Sequence, residues 1–130
     1  MPPREDTKPL VLVVSDKVVR NAIATYLFRA GYAILAAAHG IEASELSRTY
    51  PDHIHLLVTD ARTPGMSGLD LCKRLMRERP GMRAIIISGG DRDLQEADGI
   101  PILCRPFTST DLIEAVHQLL APGTGSRGRD

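Results

Sequence analysis

Several polar or charged residues stand directly after apolar stretches of the sequence, where strands of a parallel sheet would end. They are Ser15, Asp16, Asp60, Ser88 and Arg105. The carboxyl ends of parallel strands meet at one edge of an α/β sheet, so we expect these side chains to converge on one small site. Two carboxylates repel each other at close range, and a hard cation such as Mg²⁺ relieves that repulsion. A carboxylate nucleophile, a metal, a hydroxyl and a cation together indicate phosphoryl transfer to an aspartate.

The elements that would position this site alternate along the chain. Short apolar runs of strand length are followed by segments with apolar residues at helical spacing. The predicted strands are Leu10–Val14, Ala33–Ala38, Ile54–Thr59, Ala84–Ile87 and Ile102–Cys104. Helices are predicted from Val19 to Ala30, Ile41 to Tyr50, Leu69 to Met76 and Leu112 to Leu120. Thr108 and Asp111 resemble a capping box before the last of these helices. The segment Asp91–Gly99 is long enough for about two turns of helix. This alternation predicts a doubly wound (βα)5, flavodoxin-like sandwich with a parallel five-stranded sheet in the order 2-1-3-4-5 and a shortened fourth helix.

Length and composition narrow the class of protein. The 130 residues suffice for one domain, which we place at residues 9–120, with a flexible N-terminus at 1–8 and a disordered Gly-rich tail at 121–130. Sixteen Lys and Arg balance sixteen Asp and Glu, which argues against a dedicated binder of nucleic acid or anionic membranes. No apolar run could cross a bilayer and no signal segment is visible, so we expect a cytoplasmic protein.

The cysteines and histidines do not form a recognisable metal or redox motif. Cys72 and Cys104 lie far apart in the sequence, and we expect two buried free thiols in a reducing compartment. His53 and His55 share the period of a strand, but no third ligand accompanies them, so we expect no metal site there.

Four motifs, in the right order along the chain, together resemble the response-regulator receiver domain, the CheY-like family of two-component signalling. The resemblance spans about residues 9–120. It rests on Val11–Asp16, Leu57–Asp60 with Pro64–Gly68 after it, Ile85–Ser88, and Leu103–Phe107.

This resemblance implies a role for each residue of the predicted site. Asp60 matches the aspartate that accepts a phosphoryl group from a histidine kinase or a histidine phosphotransfer protein. Asp16, Asp60 and the backbone carbonyl of Arg62 match the Mg²⁺ ligands. Ser88 matches the hydroxyl that bonds the phosphoryl group, and Arg105 falls where the family has its lysine. A lone aspartate at a strand end also commonly caps the next helix, so capping of the first helix stays open for Asp16.

The chain departs from the family pattern at four points. Ser15 replaces the first of two adjacent acids, so Mg²⁺ binding should weaken. Arg105 replaces the lysine and could clamp Asp60 in the resting state; its bond to Pro106 is expected to be cis, as in the family. Only 16 residues separate Ser88 from Arg105, fewer than usual, and Ile102 stands where the family has an aromatic residue.

Two functions are consistent with these observations. The first is a stand-alone, single-domain response regulator that is phosphorylated on Asp60 and acts through contacts with a downstream protein. Its only catalysis would be its own phosphorylation and dephosphorylation. The alternative is a phosphorylation-independent pseudo-receiver that serves as a binding or dimerisation module. A homodimer is left open by the sequence. A phosphohydrolase would need an acid where Arg62 stands, and neither a flavin-binding loop nor a P-loop is found.

Overall fold

A computed structural model describes residues 8–89 and 99–121 of the chain. Its strands are β1 (Leu10–Val14), β2 (Ala33–Ala37), β3 (Leu56–Asp60), β4 (Arg62–Thr63), β5 (Met66–Ser67), β6 (Arg83–Ser88) and β7 (Ile102–Cys104). Its helices are α1 (Lys17–Arg29), α2 (Gly40–Thr49), α3 (Gly68–Glu78) and α4 (Ser109–Leu120). The predicted short helix at Asp91–Gly99, residues 1–7 and the tail at 122–130 fall outside the described ranges, apart from Gly99 itself.

Five of the strands form one parallel sheet in the order β2-β1-β3-β6-β7. This order confirms the predicted doubly wound topology, because β3, β6 and β7 are the third, fourth and fifth strands of the alternating pattern. The two shortest strands, β4 and β5, make a small antiparallel hairpin between β3 and α3. From the sequence, these residues were expected to form a loop.

Helices cover both faces of the sheet, which is why its central strands are continuously apolar. On one face, Leu12, Val14, Leu57 and Ile86 pack with buried residues of α2 and α3. On the other, Val11, Val13, Val58 and Ile85 pack with buried residues of α1 and α4. The site therefore stands on the end of a sheet whose inner strand β1 is buried along its whole length.

Local hydrogen bonds fix where the helices begin and end. Asp16 caps α1, Ser67 caps α3, and Thr108 forms the predicted capping box with Asp111. Arg79, which follows α3, donates to Ser47 and to backbone carbonyls at the end of α2 and just beyond it. This arginine ties the end of α3 to the end of α2.

Some details differ from the sequence-based expectations. Strand β3 begins at Leu56 rather than Ile54, and β6 runs from Arg83 through Ser88, beyond both predicted ends. Cys72 is buried, and burial raises the pKa of its thiol to about 12, but Cys104 is exposed. The prediction of two buried thiols is thus wrong for Cys104, which ends the edge strand β7. No helix in the described part is long and apolar enough to cross a membrane.

Candidate functional site

The register of the sheet sets two of the predicted residues side by side. Val14 pairs with Thr59 across β1 and β3, so the residues that follow them, Ser15 and Asp60, are neighbours. The Ser15 hydroxyl donates a hydrogen bond to Oδ2 of Asp60 over 2.8 Å. The two strand ends meet as the motif analysis predicted, although the contact between these two side chains was not anticipated.

Arg105 approaches Asp60 from the other side. Its Nη2 lies 3.5 Å from Oδ1 of Asp60, and the two side chains are 40% and 16% exposed. The backbone of Arg105 is anchored as well, because its N–H donates to the carbonyl of Ser88 over 2.9 Å. The Arg105–Pro106 peptide is cis, as expected. The clamp considered from the sequence is present as a single ion pair and not as a bidentate fork.

The two carboxylate oxygens of Asp60 differ in their surroundings. Oδ2 accepts the hydrogen bond from Ser15. Oδ1 is buried and has no hydrogen-bond partner within the described ranges, and the guanidinium of Arg105 lies 3.5 Å away. Burial raises the pKa of Asp60, an effect opposed by the Ser15 hydrogen bond and by the charge of Arg105. Oδ1 thus has a lone pair available to bond to an electrophile or to bind a cation.

Ser15 is itself held in place. It is 2% exposed, its N–H donates to the carbonyl of Ala37 over 3.3 Å, and its carbonyl accepts from Nη1 of Arg20 over 3.2 Å. Arg20 lies one turn into α1 and was not predicted to belong to the site. Its spacing of five residues from Ser15 is the only signal that could have suggested the contact.

Asp16 is exposed and caps α1: one carboxylate oxygen, Oδ1, accepts from the backbone N–H of Val19 over 3.1 Å. Capping of α1, the second role considered for Asp16 from the sequence, is therefore observed for that oxygen. The negative charge of Asp16 also acts on Asp60, where it raises the pKa. Asp16 is thus close enough to Asp60 for their charges to interact.

The hairpin after Asp60 is tightly bound to its surroundings. The N–H of Ala61 donates to Ile87 in β6, and Gly68 donates to the carbonyl of Ala61. The hydroxyl of Thr63 donates to the carbonyl of Met66 over 2.6 Å and accepts from the N–H of Gly40 over 3.1 Å. The loop that carries Arg62 is consequently fixed both to the sheet and to the start of α2.

The remaining predicted residues lie close by. Ser88 is fully buried at the end of β6, the strand that pairs with β3, and Arg62 has an exposed side chain in β4. The sheet pairs Ser88 with Cys104, the residue before Arg105. Ser15, Asp16, Asp60, Ser88 and Arg105 thus occupy one edge of the sheet.

The oxygen atoms of this site fit Mg²⁺ in kind. Asp16 and Asp60 supply two carboxylates, whose oxygen atoms are hard donors of the type this ion prefers. In residues 8–89 and 99–121, no group of three or more His, Cys, Asp or Glu side chains could hold a metal. The donor set therefore has one acid fewer than it would have with an acidic residue at position 15.

Comparisons with known proteins show which proteins this chain resembles. The family model of the response regulator receiver domain matches residues 11–117. The chain is 34% identical over 115 residues to nodulation protein W of Bradyrhizobium diazoefficiens, covering 85% of this chain and 50% of that protein. It is 32% identical over 124 residues to a chemotaxis protein CheY homolog of Campylobacter jejuni, covering 88% and 95% respectively.

A solved structure shows the same fold. The crystal structure of a response regulator receiver protein from Sinorhizobium medicae WSM419 superposes with a TM-score of 0.80 at 28% identity, covering 88% of this chain and 96% of that one. The chain spans about half the length of nodulation protein W and nearly all of the CheY homolog.

Proposed function

The chain belongs to the response regulator receiver family, and from this premise we propose that it is a response regulator receiver phosphorylated on Asp60. The phosphoryl group comes from a histidine kinase or a histidine phosphotransfer protein, and the modified protein signals through contacts with a downstream protein. The observation that carries the proposal is the buried Oδ1 of Asp60, which has no hydrogen-bond partner in the described part and faces Arg105.

The transfer is a displacement at phosphorus. A carboxylate oxygen of Asp60 forms the new O–P bond while the P–N bond of the phosphohistidine breaks, and the imidazole nitrogen keeps the electron pair. Arg105 offsets negative charge on the incoming group, and the hydroxyl of Ser88 donates to a phosphoryl oxygen. Mg²⁺, when bound by Asp16, Asp60 and the backbone carbonyl of Arg62, supplies further charge neutralisation.

The chemistry is confined to the protein's own modification. Asp60 is regenerated when water hydrolyses the acyl phosphate, and no metabolite is turned over. Signalling then depends on how the two forms differ in affinity for a partner. Partners of this kind are proteins; the balanced charge of the chain supports neither a nucleic acid nor a membrane as the partner.

A second candidate function is favoured by the contacts of Asp60 in the resting protein. Ser15 bonds one oxygen and Arg105 pairs with the other, so the carboxylate already has two partners without a phosphoryl group or a metal. A pseudo-receiver would use the same fold as a binding or dimerisation module regardless of phosphorylation. This alternative predicts that the unmodified protein already binds its partner fully.

Intact-mass spectrometry after incubation with a small phosphodonor separates the two candidates. Wild type, Asp60→Asn and the exposed control Asp52→Asn are compared with and without Mg²⁺. One added phosphoryl group that is lost in Asp60→Asn and kept in Asp52→Asn would support the response regulator. A folded wild-type protein that gains no mass would overturn it and leave the pseudo-receiver.

A further inference from the structure

The carboxylate of Asp60 is held asymmetrically, and this asymmetry has consequences for which oxygen reacts. Oδ2 receives the Ser15 hydroxyl at 2.8 Å, a distance typical of a strong O–H···O⁻ hydrogen bond. Oδ1 is buried and receives no hydrogen bond from the described residues. An oxygen that already accepts a strong hydrogen bond has less electron density to offer an electrophile than one that does not.

Ser15 is suited to hold Oδ2 because its own backbone cannot shift easily. Its N–H is bonded to Ala37 in the edge strand β2, and its carbonyl is bonded to Arg20 in α1. With 2% of its surface exposed, the side chain is shielded from competing water. A donor that is fixed before the reaction spends no free energy on reorganisation during it.

We propose that Ser15 is a positioning residue whose hydroxyl holds Oδ2 of Asp60 and leaves Oδ1 as the oxygen that bonds to phosphorus. The proposal rests on the proposed function and deepens it by assigning the reacting atom. Oδ1 forms the O–P bond, the leaving nitrogen keeps the P–N electron pair, and the Ser15 proton stays on its oxygen throughout. Arg105, whose Nη2 lies 3.5 Å from Oδ1, can offset negative charge on a group that bonds there.

Three substitutions at position 15 test this assignment. Ser15→Ala removes the donor, Ser15→Cys keeps the approximate size with a weak donor, and Ser15→Thr keeps the hydroxyl. With a small phosphodonor at saturating concentration, the phosphorylation rate of the Ala and Cys variants should fall on the order of tenfold. The donor concentration for half-maximal rate should stay unchanged, because Ser15 does not touch the donor. Ser15→Thr should restore most of the rate.

A structural role alone predicts a different pattern. If Ser15 only filled space, the Cys variant would match wild type and the Thr variant, with an extra methyl group in a buried position, would be the slowest. Thermal melting of each variant establishes that the compared proteins are folded. Should Ser15→Thr not fold, equal slowing of the Ala and Cys variants, which differ in size, still identifies the hydroxyl as the cause.

The outcomes separate this proposal from the proposed function. If wild type is phosphorylated and Ser15→Ala is phosphorylated at the same rate, the role of Ser15 is overturned and Asp60 remains the acceptor. Absence of any phosphorylation in folded wild type would overturn the proposed function and, with it, the role given to Oδ1. Slowing in Ala and Cys with rescue by Thr would support both.

Discussion

Gly68, the first residue of α3, lies against the backbone carbonyl of Asp60 with no room for a side chain between them. A Cβ at position 68 would overlap that carbonyl oxygen and crowd the Cα of Ala61. The N–H of Gly68 also donates to the carbonyl of Ala61 over 2.8 Å. The close approach of α3 to the end of β3 therefore depends on a glycine and fixes the backbone of the phosphorylation site.

Gly68→Ala should destabilise the protein by about 1–3 kcal/mol, because backbone atoms at a packed site cannot move aside cheaply. Urea unfolding measures this loss. The matched control is Gly89→Ala, since a Cβ at position 89 would meet no atom within 4 Å. Equal stability of the two variants would contradict the packing described here.

Ser15→Asp should raise the affinity for Mg²⁺ by about tenfold or more, because a third carboxylate joins Asp16 and Asp60 at the end of β1 and β3. Titration with Mg²⁺, followed by the NMR shifts of nearby backbone amides, measures the dissociation constant without any phosphorylation. Ser15→Asn serves as the control of similar size and no charge. A dissociation constant that is the same in the Asp and Asn variants would show that position 15 does not face the metal.

Arg105→Ala should lower the free energy of unfolding by less than about 1 kcal/mol, because the ion pair with Asp60 is partly exposed to water. The rate of phosphorylation by a small donor should fall on the order of tenfold, because the guanidinium offsets charge that develops during transfer. This effect on the rate is larger than the effect on stability. Arg105→Lys, which keeps the charge, should lie between Ala and wild type. A large loss of stability with an unchanged rate would assign Arg105 a structural role instead.

The protein should lose stability as the pH falls below about 6.5, through the titration of His55. Burial, helped by the charge of His53, lowers the pKa of His55, whose Nδ1 accepts the N–H of Leu10 over 3.0 Å. The unfolded chain consequently holds more protons than the folded one between the lowered pKa and 6.5, so folding weakens across that window. Denaturant unfolding at several pH values measures the slope.

His55→Asn removes the titrating group and keeps an acceptor that can reach the Leu10 N–H. Its stability should depend less on pH across the same window, whereas the exposed control His53→Asn should retain most of the dependence. A slope that is the same in wild type and His55→Asn would assign the acid sensitivity to other groups.

Arg79→Lys should cost about 2–4 kcal/mol of stability, although it conserves charge. The guanidinium donates four hydrogen bonds of 2.7–2.9 Å to Ser47, Tyr50 and Asp52, three of them to backbone carbonyls, and an ammonium cannot reach all of them. Arg77→Lys, at an exposed position in the last turn of α3, is the matched control and should change stability by less than about 0.5 kcal/mol. If the loss of stability is confined to the end of α2, the backbone amides there should exchange their hydrogens faster in Arg79→Lys than in wild type.

Much of the fold could be predicted because strong local patterns and burial agree. The apolar run at Leu10–Val14 became β1 without a change of boundary, since both faces of that strand are covered. The hairpin of β4 and β5 was missed because two-residue strands have no periodicity to detect. The burial of Cys104 was wrongly predicted because a residue in an edge strand has the same type of sequence neighbours as one in a central strand.

The site could be predicted only to the level of which strand ends meet. Polar residues after apolar runs were enough to bring Ser15, Asp60 and Arg105 to one edge of the sheet. Which side chain donates to which oxygen depends on the register of β1 against β3 and on rotamers, and a shift of one residue would reverse the face each side chain presents. The contact from Arg20 to Ser15 depends on the angle at which α1 leaves the sheet, which no local pattern encodes.

The hydroxyl of Thr63 provides a built-in spectroscopic probe of the loop after Asp60. The Thr63 hydroxyl accepts the N–H of Gly40 and donates to the carbonyl of Met66. The chemical shift and the hydrogen-exchange rate of the Gly40 amide therefore depend on the conformation of the loop that carries Thr63, which is 23 residues away in the sequence. The amide signal of Gly40 at the start of α2 can thus report on that loop with no dye or substitution near the carboxylate.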